Sequence, residues 1–240
     1  MTPPLLSNVA LSILNEHFAE AWRAMGDSHQ RERRRRQGLA NYRLVRFAGD
    51  WLLMVVGTQA DAERLREEAP AVLLPMGLRL SAEKTRIVHI DQGFDFLGMH
   101  IQRHKQRGSS KRFVYTYPSR TALAAVKAEV REATRRSTNQ SLAILRHRLN
   151  YELRGWTNYY RHGAAAKTFA FLSAFTWRRV WCWLGHKYPK TGMGVLRRRH
   201  TRDWWPKQDG VRLFKPTTVA ITCYAIGEQR FLRRGRLGPR

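Results

Sequence analysis

Three apolar stripes at helical spacing occupy the middle of this 240-residue sequence. The first runs Leu123, Val126, Val130 and Ala133. The second begins near Ser141 and runs Leu142, Leu145, Leu149, Leu153, Trp156 and Tyr160, with Gly155 interrupting it. The third spans about Lys167 to His186 through Phe169, Leu172, Phe175, Val180, Trp183 and Leu184. Side chains three and four apart share one face of a helix. Each segment must therefore bury one side, and three in succession can bury one another as a small bundle. Pro118-Ser119 opens the first helix, and Arg112 to Tyr117 alternates as a strand before it. Lys127, Arg131 and Arg135 follow at i+4 steps and form a basic stripe beside the apolar one.

The upstream part has a different rhythm. Ser7 or Asn8 caps a first helix whose apolar face is Leu11, Leu14, Phe18 and Trp22. The run Arg31 to Arg36, broken only by Glu32, reads as a solvated loop. Tyr42 to Phe47 and Trp51 to Val56 are β-rich runs around Ala48-Gly49-Asp50, the pattern of a hairpin. Thr58 caps a helix towards Met76 with Gly77 as its stop, and Pro70 is expected to kink or split it. Ile87 to Ile90 and Phe94 to Ile101 read as further short strands. The whole is an α+β chain: an antiparallel sheet with helices, then a helical bundle.

Charge separates the same two parts. Lys plus Arg total 44 and Asp plus Glu 18, so the net charge is +26. Residues 1–100 hold 13 basic and 12 acidic side chains, 13 − 12 = +1; the remainder holds 31 and 6, 31 − 6 = +25. With 43% hydrophobic residues the chain is too apolar for a disordered basic tail. A folded protein so charged meets a polyanion. The composition shift places a boundary in the polar stretch Gln102 to Arg112, giving spans of 1–105, 106–200 and a basic tail 201–240. No apolar run reaches the roughly 18 residues of a membrane span. The N-terminus lacks a secretory pattern, and Cys182 and Cys223 are too few for a disulfide framework. No membrane partner and a cytoplasmic location are expected. Cys182 and His186 share i, i+4 spacing without a second pair, so Cys182 is read as a core cysteine and no zinc site is expected.

Several segments resemble the reverse transcriptase and maturase proteins encoded by bacterial group II introns. Pro4-Leu5-Leu6-Ser7-Asn8 resembles the end of the polymerase motif before the palm helix. Arg46-Phe47-Ala48-Gly49-Asp50 resembles the active-site hairpin. Gly77-Leu78 with Ser81-Ala82-Glu83-Lys84-Thr85 resembles the next palm motif, and Gly93-Phe94-Asp95-Phe96-Leu97-Gly98 the primer-grip turn. Leu149-Asn150 with Arg154-Gly155-Trp156-Thr157-Asn158-Tyr159-Tyr160-Arg161 resembles the maturase signature. The segments fall in the family's order. The resemblance implies a partial reverse transcriptase palm over 1–105, a thumb-like maturase helical domain over 106–200, binding of the parent intron RNA, assistance to its splicing, and RNA-directed DNA polymerase activity with Mg²⁺. It also implies a truncated protein: the family's fingers and first palm motif are absent, as is the C-terminal HNH nuclease of many relatives.

Two departures bear on the chemistry. A polymerase holds two Mg²⁺ ions about 3.5–4 Å apart on converging carboxylates. The family places two adjacent aspartates at the hairpin tip, whereas this chain has Gly49 and then Asp50, with Phe47 in place of the usual tyrosine. The first palm strand, another carboxylate source, is missing. Asp50 is left as a residual catalytic and metal position or a turn residue, the latter preferred. Lys84 matches a position near the incoming nucleotide and reads equally well as a solvated lysine. Loss of polymerase activity and no productive Mg²⁺ binding are expected.

Binding RNA needs only cations for phosphates and planar side chains for bases. The candidates are Lys111 and Arg112 at the junction, Lys127, Arg131 and Arg135 on the first stripe, and Arg146, Arg148, Arg154, Tyr159 and Arg161 around the maturase signature. Tyr159, off the apolar face, is the stacking candidate, while Trp156 and Tyr160 are assigned to the core. Arg197 to His200 and Arg233 to Arg236 add charge, and Trp204-Trp205 anchors the tail. The expected partner is structured group II intron RNA, with DNA as a further polyanion. A general nucleic-acid-binding protein, a decayed relic, and a split polymerase completed by a separate N-terminal fragment are the alternatives.

Overall fold

The computed structural model describes residues 8–81, 83–106, 108–135, 139–202, 205–208, 211–222 and 226–227. They form two compact units divided between His89 and Ile90. Each combines an antiparallel sheet with helices, so the chain is α+β.

The first unit contains α1 (Ser12–Ala24), α2 (Ser28–Arg36), β1 (Asn41–Phe47), β2 (Asp50–Val56) and α3 (Gln59–Leu73). β1 and β2 pair antiparallel from Asn41↔Val56 to Phe47↔Asp50, so Ala48 and Gly49 make the turn. Leu14 and Phe18 of α1 meet Leu65, Ala69 and Leu73 of α3 in a core against which Tyr42, Leu44, Leu53 and Val55 pack. His17 Nε2 lies 2.7 Å from Glu68 Oε1 beside that seam. Thr58 caps α3 in a capping box with Asp61: Asp61 N–H donates to Thr58 Oγ1, and Thr58 N–H to Asp61 Oδ2 at 2.8 Å. Gly77, at φ 67°, ends the short 3₁₀ turn Leu74–Met76 that prolongs this helix.

Three local expectations are corrected here. The arginine run is helix α2, not a loop. Asp27 caps it by accepting from His29 N–H and Gln30 N–H, while Gln30 Oε1 accepts from Asp27 N–H at 2.8 Å. Glu32 pairs with Arg35 and Arg36, and Arg31 lies 4.1 Å over the Trp22 ring, so the like charges have partners. Pro70 does not split α3. It sits on the exposed side, three residues from the helix end, and the one backbone bond it removes leaves a carbonyl at the solvent side. Ile87 to Ile90 joins no ladder among the described residues, and Ile87 and Val88 are exposed.

The second unit opens with β3 (Phe94–Phe96), β4 (Met99–Lys105) and β5 (Arg112–Pro118). β4 and β5 pair from Met99↔Pro118 to Lys105↔Arg112. The stretch Gln102 to Arg112, where the composition shift falls, thus includes the paired ends of β4 and β5. Leu97 and Gly98, at φ 50° and 72°, make the tight turn from β3 to β4. Four helices follow: α4 (Arg120–Arg135), α5 (Leu142–Tyr160), α6 (Ala166–Lys187) and α7 (Met193–His200). The three stripes meet as expected, with Val126, Val130, Leu145, Leu149, Leu153, Leu172, Val180 and Leu184 in one core. Gly155 does not interrupt α5.

Much of what was expected as a tail belongs to this unit. β6 (Thr201–Arg202), β7 (Trp205–Gln208) and β8 (Val211–Arg212) form a small antiparallel sheet, and β9 (Ile226–Gly227) pairs antiparallel with β5. Leu213 is 1% exposed in the bundle core, and Trp205 and Phe214 pack against it. Asn150 of α5 holds this return: Nδ2 donates to the Arg212 carbonyl at 2.8 Å and Oδ1 accepts from Phe214 N–H at 2.6 Å. Trp205 anchors through Nε1, which donates to the Leu213 carbonyl. Ser7, Pro4 to Leu6, Ala82, Trp204, Cys223 and Arg233 to Arg236 lie outside the described residues.

Candidate nucleic-acid interface

Helix α4 begins where the Ser119 hydroxyl accepts from Ala122 N–H at 3.1 Å. Its apolar stripe turns inward, which leaves Lys127, Arg131 and Arg135 along an outer edge. Lys127 is half-buried because its ammonium lies 5.4 Å from the Phe171 ring and 5.7 Å from the Phe175 ring of α6. The Arg131 guanidinium lies 5.3 Å from Phe175. Arg135 is exposed at the helix end, where a cation also suits the helix dipole.

On α5 the candidates separate. Arg148 and Arg154 are exposed, and Arg154 lies over the Phe214 ring at 5.4 Å. Arg146 faces inward at 0% exposure and its Nε donates to the Leu142 carbonyl at 3.2 Å. It is corrected from an RNA contact to a core residue: position 146 shares the buried face of Leu142, Leu149 and Leu153. Arg161 is half-buried at the helix end, and its carbonyl accepts from Thr222 N–H at 2.9 Å. Tyr159 is exposed as expected, but its hydroxyl donates to the Leu97 carbonyl at 2.8 Å and its ring meets Tyr160 edge-on. Tyr160 is buried, and that burial, with a smaller effect of Tyr159, raises its phenol pKa above 10.0. Trp156 packs on Tyr160 at a ring separation of 4.4 Å.

Lys111 and Arg112 are exposed at the hairpin, where Arg112 approaches Asp91 at 3.9 Å. Arg197, Arg198 and Arg199 are exposed on α7, while His200 is buried and stacks on Tyr188. Cys182 is exposed, correcting its assignment to the core: it continues the outward line of Phe171, Ala174 and Arg178 on α6.

In the first unit Asp50 is exposed at the start of β2, and Lys84 is exposed in a turn where its N–H donates to the Ser81 carbonyl at 3.1 Å. Among the described residues no three His, Cys, Asp or Glu side chains gather as a metal site. One exposed carboxylate beside a glycine does not fit a pair of Mg²⁺ ions, which need several converging oxygen ligands.

Two exposed aromatics carry no motif. Tyr151, 80% exposed, projects from α5 with Arg148 three residues before it and Arg154 three after. Phe171, 46% exposed, lies next to Lys127. Both fall off the apolar stripes, and that was the only sequence signal available for them. No described helix is long and apolar enough to cross a membrane.

Cations exposed on each helix of a small bundle, with a β-return pinned by Asn150, define a basic helical domain. Residues 123–205 match the family described as group II intron, maturase-specific domain. The chain is also similar to Protein YkfC of Escherichia coli (strain K12), with 34% identity over 134 residues. The match covers 50% of this chain and 35% of that protein, so the chain spans about a third of the length of the curated relative.

Proposed function

We propose that the protein binds structured group II intron RNA through the basic faces of its helical unit and assists that RNA's splicing as a maturase, without synthesising DNA itself. The observation that carries this reading is the exposure of Arg131, Arg135, Arg148, Arg154, Arg198 and Arg199 on the maturase-specific domain. Beyond residue 100 only 6 carboxylates oppose 31 cations, so few of these charges are neutralised internally. Such a surface neutralises phosphates and releases their counterions. The lone Asp50 beside Gly49 supports the absence of DNA synthesis, because two-metal chemistry needs more carboxylates than this hairpin offers.

The test is the dissociation constant of the full chain for a group II intron transcript across a salt series. About six phosphate contacts give a log–log slope near −5. A constant that hardly moves between low and moderate salt contradicts the reading. In a splicing assay at Mg²⁺ too low for unassisted reaction, the protein is expected to restore spliced product.

A further inference from the structure

We propose that Phe171 and Phe175 of α6, with Lys127 and Arg131 of α4, form a platform on which an unpaired RNA base stacks while the two cations hold its flanking phosphates. This deepens the RNA-binding reading above and rests on it.

The two phenylalanines lie one helical turn apart with ring centroids 6.1 Å apart and planes inclined by only 16°, so they present a stepped, nearly parallel surface. Phe171 is 46% exposed. Two cations of helix α4 flank the pair, Lys127 over the Phe171 and Phe175 rings and Arg131 over Phe175, and neither is in an ion pair among the described residues. A structural cation–π clasp would serve equally well with the rings covered. Here nearly half of the Phe171 side chain stays open to water beside two cations outside any ion pair among the described residues, the combination that takes bases by stacking and phosphates by charge. The outward line continues through Ala174 to Arg178, which offers a further phosphate contact along the same helix. Each base has a π-face, so the platform favours single-stranded RNA without fixing its sequence.

The test uses the full chain and two RNA hairpins with one stem, one blunt and one with an unpaired 3′ extension, at fixed salt. Wild type is expected to prefer the extended RNA. Phe171→Leu keeps apolar bulk but removes the planar face; it is expected to lose about fivefold or more in affinity for the extended RNA and to bind the blunt hairpin as wild type does. Phe171→Trp should restore the preference. Circular dichroism of Phe171→Leu confirms the fold. Wild type that binds both hairpins, with Phe171→Leu unchanged on each or weakened equally on both, overturns the platform and leaves the RNA-binding reading standing. Wild type that binds neither hairpin nor the intron transcript overturns both. An equal fivefold loss on a single-stranded DNA extension, with none on RNA, assigns the platform to DNA and overturns it as stated.

Discussion

Tyr159 donates its hydroxyl to the carbonyl oxygen of Leu97 across 2.8 Å, tying the end of α5 to the turn between β3 and β4. That turn is conformationally demanding: Leu97 holds φ 50° without being glycine, and a Cβ on Gly98 would lie 2.6 Å from the Tyr160 hydroxyl. Tyr159 thus supports a turn whose shape depends on the helix beside it. Tyr159→Phe is expected to lower stability by about 1 kcal/mol, the net value of one hydrogen bond, read as a lower urea midpoint. RNA affinity should stay within about twofold, since the ring is retained. A large affinity loss at unchanged stability would return Tyr159 to the binding surface.

Asn150 makes the second long-range tie, and both halves of its amide are used. Asn150→Ala leaves the Arg212 carbonyl and the Phe214 N–H without these partners, at a cost of about 2 kcal/mol. The loosened return should expose the bond after Arg212 to trypsin. Limited proteolysis with mass analysis is expected to show faster cleavage there in the variant; equal cleavage rates contradict the role.

The bundle was legible in the sequence because its signal is local. Leu142, Leu145, Leu149 and Leu153 must lie on one side of any helix, whatever packs on it. Direction within the stripe was harder: Arg146 lies on the same side, and charge alone argued for the surface. The helicity of Arg31 to Arg36 is hidden in the sequence because it depends on the cap at Asp27 and on partners for Arg31, Arg34, Arg35 and Arg36, not on apolar periodicity. The place of Leu213 and Phe214 in the core was also hidden, since it depends on contacts to α5 more than sixty residues earlier in the chain. Phe175, on the third stripe, packs against the bundle core from its edge: it is half-buried and also stacks on Phe171.

Alkaline pH should loosen the second unit through Tyr160. Its burial, and secondarily Tyr159, raise its pKa above the ordinary 10.0. The folded state therefore prefers the neutral phenol, and this contribution is complete below pH 10 and is lost as pH rises through the raised value. Tyr160→Phe removes the ionisable group and should shift the midpoint of alkaline unfolding upward. A variant midpoint equal to that of the wild type contradicts the assignment.

Primer extension on a primed RNA with Mg²⁺ is expected to give no incorporation above background. Gly49→Asp places two adjacent aspartates at the hairpin tip, but among the described residues no further acidic side chain gathers with them, so it too should be inactive. Incorporation by wild type that Asp50→Ala abolishes would overturn the proposed absence of DNA synthesis.

Arg146 and Arg148 lie two residues apart and should behave oppositely towards RNA. Arg148 is exposed, so Arg148→Ala removes one potential phosphate contact and is expected to reduce the magnitude of the salt slope by about 1. Arg146 is fully buried and directs its Nε to a carbonyl of its own helix. Arg146→Met keeps a long apolar side chain in that place and should leave the slope unchanged, because no counterion is released from a group that never meets a phosphate. Any effect of Arg146→Met should appear in the urea midpoint instead. A slope reduced by Arg146→Met in a protein that retains its helical circular dichroism would mean that the bundle opens on RNA and that the buried face takes part in binding.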